Sequence, residues 1–324
     1  MLLTTLALGI LLPAARGGSI DAIYAFGDSL SDVGNIFAFT GGTIPGAPYV
    51  NGQFTNGPVW IQGLASGLGL APLTPNLLGG TDYAYGSGET GPTAFNTSNP
   101  ATDLTGATGQ IAQFVGTHPS ADPNALYTIW IGSDDIFDIL AGASPSDYST
   151  DVGISVNSVD NAIAALAVLG AKNFLLATLP DLGKTPAAIA GGVQAAASGL
   201  AAAFDNALVN SAVALASLHS LNLSILDSYS LVDTIVANPA LYGFTDVTQP
   251  CVTGAVNYVG GTACAATTAG QNQYLFWDAI HPTSAAHSIL ASAALTVLAP
   301  EPASVSLIGA GLLAIGLAFR RQSR

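Results

Sequence analysis

Basic side chains are scarce in this sequence. Its 324 residues contain six lysines and arginines against 20 aspartates and glutamates, and no arginine lies between Arg16 and Arg320. A protein that binds nucleic acid needs basic side chains to displace the counterions of the phosphates. With a net charge of −14, the chain is not expected to bind nucleic acid.

Histidine and cysteine are also few. The four histidines lack the spacing of metal ligands, and the dinucleotide-type glycine pattern at 86–91 runs into Pro92 instead of a helix. We therefore expect no metal and no cofactor. The chain's two cysteines, Cys251 and Cys264, are a disulfide candidate in an exported protein, with two free thiols as the alternative.

Both ends of the chain have the composition of targeting segments. Residues 2–15 are apolar and small residues follow them, so residues 1–18 are predicted to be a secretory signal peptide that signal peptidase removes. Near the other end, Pro300-Glu301-Pro302 precedes 17 apolar or small residues, 303–319, and then two arginines. That length is the low end of a membrane span, which predicts transient membrane association through 303–319.

The tail at 300–324 resembles the PEP-CTERM sorting signal of Gram-negative, exopolysaccharide-producing bacteria. The resemblance implies export through the inner membrane and processing by an exosortase near the Pro-Glu-Pro. It also implies that the protein resides outside the cell or at its surface.

Between the two ends, short apolar runs alternate with helical stretches. The predicted strands are 22–26, 125–131, 173–179 and 221–226, and the predicted helices are 151–171, 186–218 and 283–298. Alternation of this kind predicts a parallel sheet covered by helices on both faces. We expect residues 19–299 to form one α/β domain, a three-layer α/β/α sandwich with a mainly parallel sheet of about five strands. Residues 79–109 are predicted to be a long surface loop.

Two short stretches carry the residue types of nucleophilic catalysis. Ser29 follows the first predicted strand in "FGDSLSDVGN", where small polar residues are also ordinary turn and helix-capping chemistry. Asp278 and His281 stand three residues apart in "DAIH", before the last predicted helix. A serine nucleophile needs a base and a carboxylate that orients the base. A capping acid with an incidental histidine is the alternative interpretation of that second stretch.

Taken together, these stretches resemble the GDSL (SGNH) esterases and lipases. "FGDSLSDVGN", the glycine after "DYAY", "IGSDD" and "DAIH" follow the order and spacing of that family over residues 20–295. The resemblance implies a flavodoxin-like fold and a serine hydrolase that forms an acyl-serine intermediate without a cofactor. It implies Ser29 as nucleophile, His281 as base, Asp278 as orienting acid, and the N–H groups of Ser29 and Gly86 as oxyanion-hole donors. The family's ester substrates include lipids, short-chain esters and acetylated polysaccharide.

One residue departs from the family pattern. Asp134 stands in "GSDD" where the family has an asparagine that donates to the oxyanion, and an ionised carboxylate has no hydrogen to donate. Three alternatives follow: Asp134 is protonated beside Asp135, the backbone donors suffice, or the chain is a weak or inactive surface module that binds glycan or lipid.

Overall fold

The computed structural model describes residues 20–91 and 106–299. The predicted signal peptide, the tail at 300–324 and residues 92–105 of the predicted loop lie outside the described residues. The chain divides into two units, of which residues 20–297 are one. The other unit, 1–19 and 298–324, is described only at residues 298 and 299.

Four parallel strands form the central sheet, in the order β1-β2-β3-β4. They are β1 Ile23–Gly27, β2 Leu126–Trp130, β3 Asn173–Ala177 and β4 Asn222–Leu226, each within or one residue beyond a predicted strand. Every residue of β2 is buried, as expected for a parallel strand with helices on both faces. The predicted fold class is confirmed.

A fifth segment runs beside β1 without forming a regular strand. Residues 81–85 follow β1 in parallel, with hydrogen bonds from Ala25 N to Thr81 O (3.1 Å), Tyr83 N to Ala25 O (2.7 Å) and Tyr85 N to Gly27 O (3.1 Å). The expected count of about five strands therefore corresponds to four strands and this edge segment in the described part of the chain.

Helices cover both faces of the sheet. The helices of the described residues are α1 Asn35–Phe39, α2 Trp60–Gly67, α3 Ala107–Thr117, α4 Ser133–Gly142, α5 Tyr148–Leu169, α6 Pro186–Gly191, α7 Gln194–His219, α8 Ser228–Ala237, α9 Thr268–Gln271 and α10 Ser284–Leu298. One face carries α3, α4, α5 and α7, whose apolar residues share a core with Tyr127, Ile129 and Phe174 of the strands. On the other face, Trp60 of α2 contacts Trp130 of β2, with ring centroids 5.3 Å apart.

The predicted helix 186–218 is two helices. Gly192 has a φ of 68°, a left-handed conformation that glycine adopts readily, and it ends α6 before α7 begins. The remaining strands form two small pairs: β5 Asp246–Pro250 with β8 Tyr274–Phe276, and β6 Val252–Thr253 with β7 Thr262–Ala263. Strand β8 ends just before Asp278.

Candidate active site

Ser29 lies at the carboxyl end of β1, in a tight turn. A side chain at Gly27 would come within 2.4 Å of the Trp130 carbonyl oxygen, so only glycine fits where the strand ends. The Asp28 carbonyl then accepts from Ser31 N and the Asp28 carboxylate accepts from Leu30 N. The N–H of Ser29 has no acceptor among the described residues.

Asp278 and His281 lie on the loop between β8 and α10. Asp278 Oδ1 accepts from the backbone N–H of Ile280 (2.9 Å) and of His281 (2.8 Å), which folds the loop back on itself. His281 Nδ1 then lies 2.8 Å from Asp278 Oδ2, and His281 Nε2 lies 2.8 Å from Ser29 Oγ. The structure thus brings together three residues that are up to 252 positions apart in the chain.

Asp278 is held in its ionised form. Burial by itself raises the pKa of this carboxyl group, but the attraction of His281 and the hydrogen bonds from its ring and backbone outweigh burial and lower the pKa. Tyr49 adds a hydrogen bond from its hydroxyl to Asp278 Oδ2 at 2.7 Å. Sequence reasoning missed Tyr49, because it lies 229 residues from its partner.

The N–H of Gly86 is not free in this structure. It donates to Asp32 Oδ2 at 2.9 Å, and Asp32 also accepts from the backbone of Gly34, Asn35 and Ile36. The expectation that the Gly86 N–H faces an oxyanion is therefore corrected. The next N–H, that of Ser87, has no acceptor in the described part of the chain.

Ser87 belongs to a turn that lies over the end of β1. Gly88 N donates to Tyr85 O (3.0 Å), and a side chain at Gly88 would come within 3.0 Å of the Gly27 carbonyl oxygen. Ser87 has a φ of 59° at the third position of this turn. The hydrogen bond that closes this turn is donated by Gly88 N, so it does not use the N–H of Ser87.

Asp134 and Asp135 have different surroundings at the start of α4. Asp135 accepts from Thr90 N (2.9 Å), Thr90 Oγ1 (2.6 Å) and Ser155 Oγ (2.8 Å). It therefore connects the segment at Thr90 to α4, on which Asp135 lies, and to α5, on which Ser155 lies. The carboxyl group of Asp134 has no hydrogen-bond partner among residues 20–91 and 106–299 and faces a cavity that Ser29 and His281 also line.

The surroundings of Asp134 favour its neutral form. Burial raises the pKa of Asp134 well above its ordinary value, and the negative charges of Asp28, Asp135 and Glu89 raise it further, while His281 opposes the shift. A carboxyl group that keeps its proton is a hydrogen-bond donor.

The cavity beside Ser29 is narrow and apolar, with a volume of about 50 Å³. It extends from Ser29 and His281 between α8, β8 and α10. Its apolar lining includes Val232, Ile235, Leu275, Phe276 and Leu290. No group of three or more His, Cys, Asp or Glu residues within 20–91 and 106–299 is arranged to hold a metal ion.

Residues 23–294 match the family model of the GDSL-like lipases and acylhydrolases. The chain belongs to this family of ester-hydrolysing enzymes. It is 28% identical to the thermolabile hemolysin of Vibrio parahaemolyticus over 294 residues, which cover 86% of this chain and 64% of the hemolysin. It is 26% identical to the phosphatidylcholine-sterol acyltransferase of Aeromonas hydrophila, over 85% of this chain and 89% of that protein.

Two further comparisons concern the fold and the tail. A crystal structure of a putative GDSL-like lipase from Parabacteroides merdae aligns with a TM-score of 0.46 and 12% identity, covering 88% of this chain and 98% of that one. Residues 298–322 match the PEP-CTERM protein-sorting motif, which confirms the resemblance noted for 300–324 in the sequence. This motif indicates export to the extracellular or cell-surface compartment of a Gram-negative bacterium, with processing by an exosortase. Within a family of ester hydrolases, a non-catalytic binding module is not favoured.

Proposed function

We propose that this protein is an exported serine esterase in which Ser29, His281 and Asp278 are the catalytic residues. The observation that carries the proposal is the chain of two 2.8 Å contacts from Asp278 Oδ2 through the His281 ring to Ser29 Oγ, at the mouth of an apolar cavity. With Asp278 ionised, Nδ1 of His281 carries hydrogen and Nε2 accepts the Ser29 hydroxyl proton.

The reaction proceeds through an acyl-serine. Ser29 Oγ attacks the ester carbonyl carbon while His281 Nε2 takes the hydroxyl proton, and Asp278 stabilises the imidazolium that forms. Collapse of the tetrahedral intermediate breaks the bond to the alcohol oxygen, which receives the proton from His281. Water then attacks the acyl-serine with His281 again as base, which releases the carboxylic acid and restores Ser29.

Three donors are proposed for the oxyanion. The backbone N–H groups of Ser29 and Ser87 have no acceptor among the described residues and lie at the carboxyl edge of the sheet, and Ser87 takes the role expected of Gly86. The third donor is the protonated carboxyl of Asp134, in place of the family's asparagine amide. Removing one such donor typically lowers turnover by about 10² to 10³.

The proposed substrates are esters with an aliphatic acyl chain. The narrow cavity beside Ser29 is lined mainly by aliphatic and aromatic side chains, so the acyl group would enter it and the alcohol would remain outside. The Aeromonas relative is named for phosphatidylcholine and acyl transfer, which agrees with acyl lipids as substrates here. Acetylated polysaccharide is the competing substrate class.

The proposed processing follows from the two ends of the chain. Signal peptidase removes residues 1–18, and the exosortase acts near Pro300-Glu301-Pro302 while 303–319 holds the chain in the inner membrane. Residues 19–299 are the proposed hydrolase domain. The disulfide between Cys251 and Cys264 agrees with an oxidising compartment outside the cytoplasm.

Hydrolysis of p-nitrophenyl esters by the purified full chain tests the proposal. Wild type is expected to cleave the butyrate ester and to react with a fluorophosphonate probe, whereas Ser29→Ala does neither. Ser292→Ala, which removes an exposed hydroxyl from α10, is the matched control and keeps both activities. Equal rates for wild type and Ser29→Ala would refute the serine mechanism.

The acyl chain length distinguishes the two substrate classes. Each methylene buried in the cavity contributes about 0.8 kcal/mol, so kcat/KM is expected to rise about fourfold per carbon from acetate to butyrate. A preference for acetate over butyrate would instead favour a deacetylase.

A further inference from the structure

A disulfide-closed hairpin stands beside the proposed catalytic residues. This disulfide hairpin, residues 251–264, comprises β6, β7 and the Cys251–Cys264 bond. Its base is attached next to Asp278, since Cys251 N donates to Phe276 O (3.0 Å) and Val252 N donates to Trp277 O (2.6 Å). The base of the hairpin is therefore anchored at the residue that precedes Asp278.

The tip of the disulfide hairpin is a two-residue turn with an unusual residue in it. Val256 and Val259 exchange two backbone hydrogen bonds of 3.0 Å, and the turn residues Asn257 and Tyr258 have φ values of 49° and 59°. Turns of this kind strongly prefer glycine at the second position, because a side chain there crowds the backbone. A tyrosine at this position strains the backbone of the turn, which glycine would not do. We therefore expect the Tyr258 side chain to make a contact outside the turn that offsets the strain.

The ring of Tyr258 contacts the imidazole of His281. Their centroids are 5.4 Å apart at 69°. The Phe54 ring completes a triangle, 5.0 Å from Tyr258 and 5.3 Å from His281. The Tyr258 backbone is fixed from the other side, because its carbonyl accepts from Gly46 N at 2.9 Å.

We propose that Tyr258 is a positioning residue for His281. Its ring limits rotation of the imidazole, so that Nε2 faces Ser29 while Nδ1 stays on Asp278, and the disulfide hairpin keeps the ring in place. This inference rests on the proposed function, since it assigns to Tyr258 an effect on the reaction through His281.

Three variants of the full chain test the proposal. Tyr258→Gly removes the ring and suits the turn, Tyr258→Phe keeps the ring, and Asn257→Gly changes the same turn at an exposed residue that has no contact with His281. Because small displacements of a reacting group cost large factors in rate, Tyr258→Gly is expected to lower kcat on p-nitrophenyl butyrate by about tenfold or more. KM, which reports binding in the cavity, is expected to stay within about twofold, and the other two variants are expected to match wild type.

Active-site titration with a fluorophosphonate separates positioning from folding. The expected loss in Tyr258→Gly is a loss of turnover per titrated site. If turnover per titrated site is unchanged and only the number of sites falls, the role is structural and the proposal is wrong. Should Tyr258→Gly not fold, Tyr258→Asn gives the same test, because asparagine tolerates the positive φ of this turn and leaves the space of the ring empty. A Ser29→Ala variant that matches wild type would refute the proposed function itself, which these Tyr258 variants cannot do.

Discussion

Asp134 offers the sharpest test of the proposed chemistry, because its protonation state decides whether it can donate to an oxyanion. The donor form is the neutral acid, which is present below the pKa of the folded protein and lost as the pH rises through it. Burial and the nearby charges of Asp28, Asp135 and Glu89 raise that pKa well above its ordinary value, so the donor form extends toward neutral pH. Turnover of wild type is therefore expected to fall on the alkaline side.

Two substitutions separate the donor from the charge. Asp134→Asn replaces the acid by an amide that donates at every pH, so the alkaline loss of kcat is expected to disappear. Asp134→Ala removes the donor, and kcat is expected to fall by about 10² to 10³, or about 2.7–4 kcal/mol, wherever wild type is most active. KM is expected to change little in both, because the contact strengthens only as charge develops on the oxygen.

The assay is release of butyric acid from p-nitrophenyl butyrate between about pH 5 and about pH 9, with Ser29→Ala as the blank at each pH. Asp21→Asn is the matched control, since it removes an exposed carboxylate just before β1, at the end of the strand opposite to Ser29. An alkaline limb that persists unchanged in Asp134→Asn would refute the assignment. Wild-type turnover in Asp134→Ala would show that the backbone donors suffice.

Two further predictions concern residues that sequence reasoning missed. Tyr49→Phe removes the 2.7 Å hydrogen bond to Asp278, and since bonds to charged groups contribute about 1.5–3 kcal/mol, kcat is expected to fall on the order of tenfold with KM unchanged. Unaltered kcat would show that the loop backbone alone orients the acid. Burial raises the pKa of Asp205 to about 8, so the folded protein favours the neutral form of this carboxyl group. The free energy of unfolding is therefore expected to be greatest below about pH 4 and to fall by up to about 1.4 kcal/mol per pH unit between about pH 4 and about pH 8. Asp205→Asn keeps an acceptor for Leu179 N but has no proton to lose. In urea unfolding at several pH values, the free energy of unfolding of this variant is expected to depend less on pH than that of wild type. The same pH dependence in both proteins would contradict this prediction.

Local signals predicted most of the fold and pointed to the residues of the proposed site. The four apolar runs became β1 to β4 because a strand buried on both faces must be apolar along its length. Asp278 and His281 were recognisable because their interaction spans three residues and depends on one loop. The helix at 186–218 was predicted as a single element, since the sequence shows Gly192 without showing its left-handed backbone.

Contacts between distant segments could not be predicted from the sequence. In "FGDSLSDVGN" the sequence indicated a role at the site for Ser29 alone. The carboxylate of Asp32, in the same stretch, nevertheless accepts a hydrogen bond from the N–H of Gly86, 54 residues away. Because of that hydrogen bond the Gly86 N–H is occupied, and within the described part of the chain the neighbouring Ser87 N–H has no acceptor. The glycine after "DYAY" locates the turn at 85–88, but tertiary packing decides which N–H group of that turn already has an acceptor.

Backbone strain in this protein coincides with the proposed chemistry. Within the described ranges, five residues other than glycine have a positive φ: Asn51, Ser87, Ser220, Asn257 and Tyr258. Asparagine tolerates this conformation, and Ser220 ends α7, a usual place for it. The remaining two are Ser87, whose N–H has no acceptor among residues 20–91 and 106–299, and Tyr258, whose ring contacts His281. Glycine would relieve both turns. At Tyr258 the cost of keeping a side chain is expected to be offset by the contact of its ring with His281, whereas the proposed role of Ser87 uses only a backbone N–H, which glycine would also supply.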